Sequence, residues 1–415
     1  VSCPVIFIVV GLGFGDEGKG SIVDKLCRET GADTVVRFNG GAQAAHNVCL
    51  PDGTHHTFAQ FGSGSYVRGV RTILSRHMIV NPSTFLVEAD VLGKTRCTTG
   101  LVTADRDALV TTPYHVVLNC TRERARGITK HGTTGLGISE TVLDGLARKD
   151  AMRCRDLAGS SKMTLHAKLM AVRDALEPEM ARLGSKEFER LSLERIVERF
   201  QAFANAVAIE SGEEIYTRLR NARGIIFEGA QGILLDQDFG FHPHTTWSRT
   251  TPVYALELLA EDAMLKDCDR QIVGVTRCYT TRHGEGPFPT EIPLLGLPEL
   301  HNGDTGMAGP FRRGWLDLPL LKYACRCCST GITRLAINHV DYAPDYYCVS
   351  NPHLDVTKLP VSITEQEALC RQAWTRVTEY ERTPEHFPQA IAEHLGVQLW
   401  LVGDGPTHAS KHMQT

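Results

Sequence analysis

The sequence predicts an α/β protein with a large, mainly parallel central sheet, flanking helices and a helical subdomain. Three observations carry that prediction. Val5 to Val10 form an unbroken apolar run, as in a parallel strand covered on both faces, and a glycine-rich loop from Gly11 to Gly20 follows. Ile22, Val23, Leu26 and Cys27 then recur at helical spacing before a second strand-like run from Asp33 to Phe38, so the chain starts as strand, loop, helix, strand. From about Asp156 to Ala222 the sequence turns charged and helical, with Leu191, Leu193, Ile196, Val197 and Phe200 at helical intervals.

Further short apolar runs at 72–80, 224–227, 271–276, 332–337 and 398–402 extend the sheet. No Gly/Ser/Pro-rich linker, repeat or low-complexity tract interrupts the chain, so residues 1–415 read as one domain with a helical subdomain at about 156–222. At 42% hydrophobic and 22% charged, the composition is that of an ordinary globular protein. The net charge of −4 gives no global reason for nucleic-acid or membrane partners. The apolar start is too short to span a bilayer and runs into the glycine loop, which fits a strand rather than a targeting segment. The scatter of 13 cysteines predicts reduced thiols in a cytoplasmic protein. Cys325, Cys327 and Cys328 lack paired zinc-ligand spacing and read as structural.

The chemistry begins in the loop. Where a strand hands over to a helix, glycines let backbone N–H groups approach phosphate oxygens, and Lys19 adds a point charge. The loop glycines and Lys19 together read as a phosphate cradle. Only two residues separate Gly15 from Gly18-Lys19, which sets the loop apart from a standard P-loop. A carboxylate beside phosphates repels them unless it binds a metal or moves a proton, so Asp16 is either chemically active or an ordinary helix cap.

Gly15-Asp16-Glu17-Gly18-Lys19-Gly20 resembles the G-D-E-G-K-G signature of adenylosuccinate synthetases, and Gly40-Gly41-Ala42-Gln43-Ala44-Ala45-His46 is similar to their G-G-H-N-A-G-H segment. The match continues through Gly132-Thr133-Thr134-Gly135, Glu228 to Gly232, the stretch 279–291, Gly314-Trp315-Leu316-Asp317 and Gly403 to Pro406. The resemblance implies a P-loop-related fold and a ligase that phosphorylates O6 of a 6-oxopurine nucleotide (IMP) with a nucleoside triphosphate, then displaces the phosphate with L-aspartate. It implies Asp16 as base, His46 as its acid partner, Gln231 at the purine, and donor-phosphate contacts at Gly15, Glu17, Gly18, Lys19, Gly20, His46 and Asn47. It implies Mg2+ held through Asp16 and Ala45, a nucleotide site at Gln43, Thr134, Arg148, Gln231, Thr246 and His283, a donor base near Asn338, His339, Gly405 and Pro406, and a homodimer in which Arg148 reaches across.

Departures fall where substrates are chosen. The family's arginine after G-T-T-G is Leu136, its asparagine is Gln43, and its R-x-R aspartate loop is replaced by a segment containing Thr305, Arg312 and Arg313. These two arginines either clamp a dicarboxylate or are helix-start charges. Where the family has T-K-L-D, whose carboxylate selects guanine, this chain has Ala336-Ile337-Asn338-His339. An Asn side chain can pair with adenine's donor and acceptor edge, which predicts ATP or dATP as donor, unless Asp341 rescues guanine recognition. Changing donor and purine pocket together is also consistent with the branch that makes 2-aminoadenylosuccinate from GMP or dGMP, with Glu285 as a candidate acceptor for the 2-amino group. A kinase-like phosphotransferase and a nucleotide-binding regulatory module are the rival classes, and the pairing of Asp16 with His46 and Gln231 argues for the ligase.

Overall fold

The computed structural model describes residues 3–94, 101–293 and 307–414. Among them run sixteen strands: β1 (Val5–Gly11), β2 (Thr34–Arg37), β3 (His46–Cys49), β4 (His55–Phe58), β5 (Arg71–Leu74), β6 (Val102–Asp105), β7 (Ala208–Glu210), β8 (Gly224–Gly232), β9 (Arg270–Arg277), β10 (Tyr279–His283), β11 (Phe311–Trp315), β12 (Arg334–Asn338), β13 (Tyr346–Tyr347), β14 (Glu381–Arg382), β15 (Gln398–Gly403) and β16 (Lys411–Met413). Ten of them form one sheet in the order β16-β15-β12-β9-β1-β8-β2-β5-β6-β7, parallel throughout except for β16 at one edge.

β1 is central because both its faces are apolar and both are covered. Phe7 and Val9 pack on one face against Ile22, Val23 and Leu26 of the helix Lys19–Thr30. Ile6, Ile8 and Val10 alternate to the other face and join Leu219, Leu258, Leu321 and Tyr323. The segment 156–222 carries the helices Lys162–Arg182, Leu193–Ala206 and Gly212–Arg220. Leu165, Leu169, Phe200 and Phe203 bury against Phe85 and Leu118 of the preceding helices.

Several expectations need correction. The helical segment also contains β7, which closes one edge of the sheet; three residues are too short a run to announce a strand by periodicity. The run 72–80 is a strand only to Leu74, since Met78 N–H donates to Ser75 O in a turn that breaks the ladder. Nor are all thiols reduced: Cys3 and Cys268 are disulfide-paired, with Cα atoms 5.6 Å apart. Each lies just before one of the adjacent parallel strands β1 and β9, so the sheet brings together residues that are 265 positions apart in the chain. Nine other cysteines among the described residues, Cys27, Cys120, Cys154, Cys278, Cys325, Cys327, Cys328, Cys348 and Cys370, are free thiols. Among the described residues, no helix is long and apolar enough to cross a membrane, and no group of three metal-ligating side chains converges, at the Cys325 cluster or elsewhere.

Candidate active site

One cavity of about 1120 Å³ opens at the carboxyl ends of the parallel strands, where α/β sheets characteristically bind ligands. Its wall takes residues from the glycine loop, the strand ends and the loops between them. Asp16, Gln231 and His339 are the only non-glycine residues with positive φ among those described, at 60°, 62° and 60°, and all three line this cavity. Backbone strain of that kind persists only where the surroundings enforce it.

The loop is braced from beneath. Glu17 turns away from the cavity: Oε1 accepts from the N–H groups of Gly13 at 3.0 Å and Gly15 at 2.8 Å, and Oε2 accepts from Lys19 Nζ at 2.6 Å. Its carboxylate is therefore a buried strut and is absent from the cavity wall, which corrects its reading as a phosphate contact. Gly18 must be glycine, since φ is +88° and a Cβ would sit 2.7 Å from Asn338 Nδ2. Gly15, Gly18, Lys19 and Gly20 do line the cavity. Gly18 is the N-cap of the following helix, which has no side-chain cap, so Asp16 does not cap it. Arg277 Nε donates to the Asp16 backbone carbonyl at 2.5 Å. Burial raises the pKa of the Asp16 carboxyl, with Arg277 opposing the shift.

His46 faces Asp16's cavity from β3 and is held from behind. Its Nδ1 lies 2.5 Å from Glu228 Oε1, while Ser63 N–H donates to Glu228 Oε2 at 2.9 Å. Burial alone would raise the Glu228 pKa, but Arg37, His46 and Ser63 outweigh it and hold the carboxylate at about 2. Glu228 is thus ionised, which assigns the Nδ1 proton and leaves His46 Nε2 as a buried nitrogen without a protein partner. Burial lowers the His46 pKa, and Glu228 works against that shift.

Gln43, Thr134, Gln231, Thr246 and His283 also line the cavity, as do Ala45 and Asn47. Both amide ends of Gln43, and Gln231 Oε1, are buried without partners. Buried polar groups are almost always satisfied, so these mark where a polar ligand sits. Two buried side chains that the sequence did not single out hold the surrounding loops. Asn39 clamps Ala230 N–H at 2.7 Å and donates to Arg249 O at 3.0 Å. Asp236 accepts from the N–H groups of Thr250 at 2.5 Å and Thr251 at 3.3 Å, behind Thr246. Arg148 lies outside the cavity wall, paired with Asp144 at 2.6 Å.

Asn338, His339, Gly405, Pro406 and Lys411 line the cavity as well. Asn338 does not offer a free amide edge, contrary to expectation: its Nδ2 donates to Glu17 O at 2.9 Å, tying the glycine loop to the end of β12, and its Oδ1 is buried and unpartnered. Asp341 is exposed and outside the wall. The arginine pair sits on a strand, β11, rather than at a helix start. Arg312 is spent on Glu291, at 2.9 and 2.5 Å, and on the carbonyls of Gly284 and Gly286, so it is not available to a dicarboxylate. Arg313 pairs with no carboxylate among the described residues and packs over Phe311. Thr305 lies outside the described residues. Sequence reading missed the supporting role of Glu228 and the cavity residues Arg277, Arg282 and Lys411; Glu228 stood beside Gln231 in a quoted motif, but nothing local marks its reach to His46.

Comparisons with known proteins bear on family and fold. The family model described as adenylosuccinate synthetase matches residues 8–350. The chain is 34% identical to the adenylosuccinate synthetase of Syntrophotalea carbinolica, over 96% of each chain. It is 30% identical to that of Clostridium beijerinckii, over 96% of this chain and 97% of the relative. In fold it matches the fully ligated adenylosuccinate synthetase of Plasmodium falciparum, with TM-score 0.80, 22% identity and 99% of each chain covered. It also matches the cyanophage S-2L succinoaminodeoxyadenylate synthetase bound to dGMP and dATP, with TM-score 0.66, 17% identity and 99% and 96% covered. On the family match and the full-length relatives, the chain belongs to the adenylosuccinate synthetase family, nucleoside-triphosphate-dependent carbon–nitrogen ligases of purine biosynthesis.

Proposed function

We propose that the protein joins L-aspartate to C6 of a 6-oxopurine nucleoside monophosphate, IMP in the leading reading, at the expense of a nucleoside triphosphate. The observation that carries this is the placing of Asp16 and a Glu228-backed His46 in one cavity. A 6-oxopurine oxygen leaves poorly, so it must first be phosphorylated. Asp16 takes the N1 proton, charge moves to O6, and O6 attacks the γ-phosphorus as the bond to the β-phosphate oxygen breaks. His46 Nε2, protonated as the phosphates approach, and Lys19 stabilise the charge that builds there. The amine of aspartate then adds at C6 and inorganic phosphate departs.

Asp16 and the Ala45 backbone offer oxygen ligands suited to Mg2+, which keeps waters and substrate phosphates in its remaining positions and so needs no larger protein cage. That ion would supply neutralisation of phosphate charge. Thr134, Thr246 and Gln43 are assigned to the monophosphate and Gln231 to the purine, all supported by their places in the cavity wall. Arg313 remains the candidate contact for aspartate. A homodimer in which Arg148 completes the neighbouring site, one continuous domain and a cytoplasmic setting belong to the same proposal; the free thiols support the last. The second reading, GMP or dGMP as acceptor with ATP or dATP as donor, is favoured by the missing carboxylate at His339.

The test is aspartate-dependent phosphate release with mass detection of the adduct, using IMP, GMP or dGMP against GTP, ATP or dATP. Absence of an aspartate adduct in every combination sinks the ligase reading. Asp16→Asn is expected to lower kcat by at least about 10²-fold while the nucleotides still bind.

A further inference from the structure

We propose that Arg277 and Asn338 are positioning residues that grip the glycine loop by two consecutive carbonyls and so hold Asp16 in its left-handed backbone conformation. This rests on the ligase reading above and adds to it what keeps the base in place. Arg277 ends β9 and Asn338 ends β12, and the two are direct partners across these adjacent parallel strands. Arg277 Nε donates to Asp16 O at 2.5 Å, and Asn338 Nδ2 donates to Glu17 O at 2.9 Å. Thr281 of β10 adds a longer contact to Gly15 O at 3.4 Å. Three neighbouring carbonyls of the loop are thus held by side chains that stand at least 261 positions away in the chain.

Both side chains are themselves fixed. Arg277 is buried; its Nη1 donates to Tyr279 Oη at 2.9 Å, and its guanidinium carbon lies 5.4 Å from the centre of the Tyr279 ring. Asn338, 1% exposed, fills the gap between the loop and β15. A Cβ at Gly18 would fall 2.7 Å from its Nδ2, and one at Gly403 would fall 2.6 Å from its Oδ1, so the amide fits only because both neighbours are glycine. Side chains locked by their surroundings in this way can hold a catalytic group to its working geometry.

The grip acts on both edges of the loop. Asp16 at φ 60° sits in a conformation that persists only while its surroundings enforce it. In a planar trans peptide the C=O of one residue and the N–H of the next point in opposite directions. Fixing the carbonyls of Gly15, Asp16 and Glu17 therefore fixes the N–H groups of Asp16, Glu17 and Gly18, none of which donates to an acceptor among the described residues. The contacts that set the Asp16 backbone thus also leave three aligned donors to the phosphates of a triphosphate.

The experiment compares the intact enzyme with Arg277→Met, Arg277→Lys, Asn338→Leu and the Arg277→Met, Asn338→Leu double variant. It measures kcat, KM and Tm with the acceptor and triphosphate pair that gives the highest turnover, and the Kd of ATP and of GTP by calorimetry. Arg277→Met should lower kcat by at least about tenfold, as for loss of one charge-assisted hydrogen bond, and weaken triphosphate binding, with the acceptor KM within about twofold of the wild type. Arg277→Lys keeps a donor and should recover part of the loss. Asn338→Leu should lower kcat by about threefold or more. The double variant should lose less than the product of the single losses, because the second release acts on a loop that the first has already freed. Unchanged kcat and Kd beside a lower Tm would mean packing alone, a raised acceptor KM with unchanged kcat would mean direct contact with the acceptor, and losses that multiply would mean independent action; each overturns the proposal. If no pair yields an aspartate adduct, the ligase reading itself has failed, and the Kd values decide on the grip: weaker binding in both single variants upholds it, whereas unchanged binding, or none in the wild type, overturns it.

Discussion

Glu228 shows how much of the site rests on a side chain that does not line it. Its carboxylate stays ionised at every neutral pH because Arg37 and His46 outweigh its burial, and it holds the His46 ring in one tautomer. Glu228→Gln keeps the shape and removes the charge. Turnover should fall about 10²-fold, and the pKa assigned to His46 in the pH–rate profile should move down, because the imidazolium loses its anionic neighbour. An unchanged profile with lower stability alone would reduce Glu228 to packing. Asp16 and His46 were legible in the sequence because their spacing matches a known signature. Glu228, 182 positions from His46, was not, since only parallel pairing of β8 beside β1 and β2 carries it there.

Among the elements, the helix Leu318–Cys327 exposes a tension between capping and burial. Asp317 caps it by accepting from Leu320 N–H at 3.0 Å, but its second oxygen is buried without a partner. Burial pushes its pKa to about 7. The folded state therefore holds a proton that the unfolded chain has released, and this site's contribution to stability declines as pH rises from about 4 to about 7. Asp317→Asn keeps a cap acceptor without the charge. Its Tm should exceed the wild type's at pH 8, by a difference worth up to the order of 4 kcal/mol, and converge with it near pH 4 to 5. A constant difference across that range would show that ionisation is not the cause. The helices and longer strands could be read from periodicity, whereas β7 and the shortened β5 could not, because edge pairing and a single turn decide them.

At the scale of the whole molecule, the cavity joins both ends of the chain, from Lys19 to Lys411. Substrates should therefore brace the sheet across its width. Acceptor nucleotide and triphosphate at a hundredfold excess over their Kd should each add about 2.7 kcal/mol, seen as a rise in Tm, and the pair together should exceed the sum of the single shifts. Additive shifts would mean that the two ends bind independently. By itself, the sequence determined the α/β class and the glycine loop between a strand and a helix, and it singled out Asp16 and His46, which the structure brings into one cavity, because apolar periodicity, glycine spacing and motif residues are local properties. Only the tertiary structure decided that Glu17 braces the loop from below, that Asn338 and Arg312 are already committed, and that Lys411 lines the cavity. Those outcomes depend on which partners distant strands bring within hydrogen-bonding reach, and a carboxylate, amide or guanidinium is available to a ligand only when the fold has not already satisfied it.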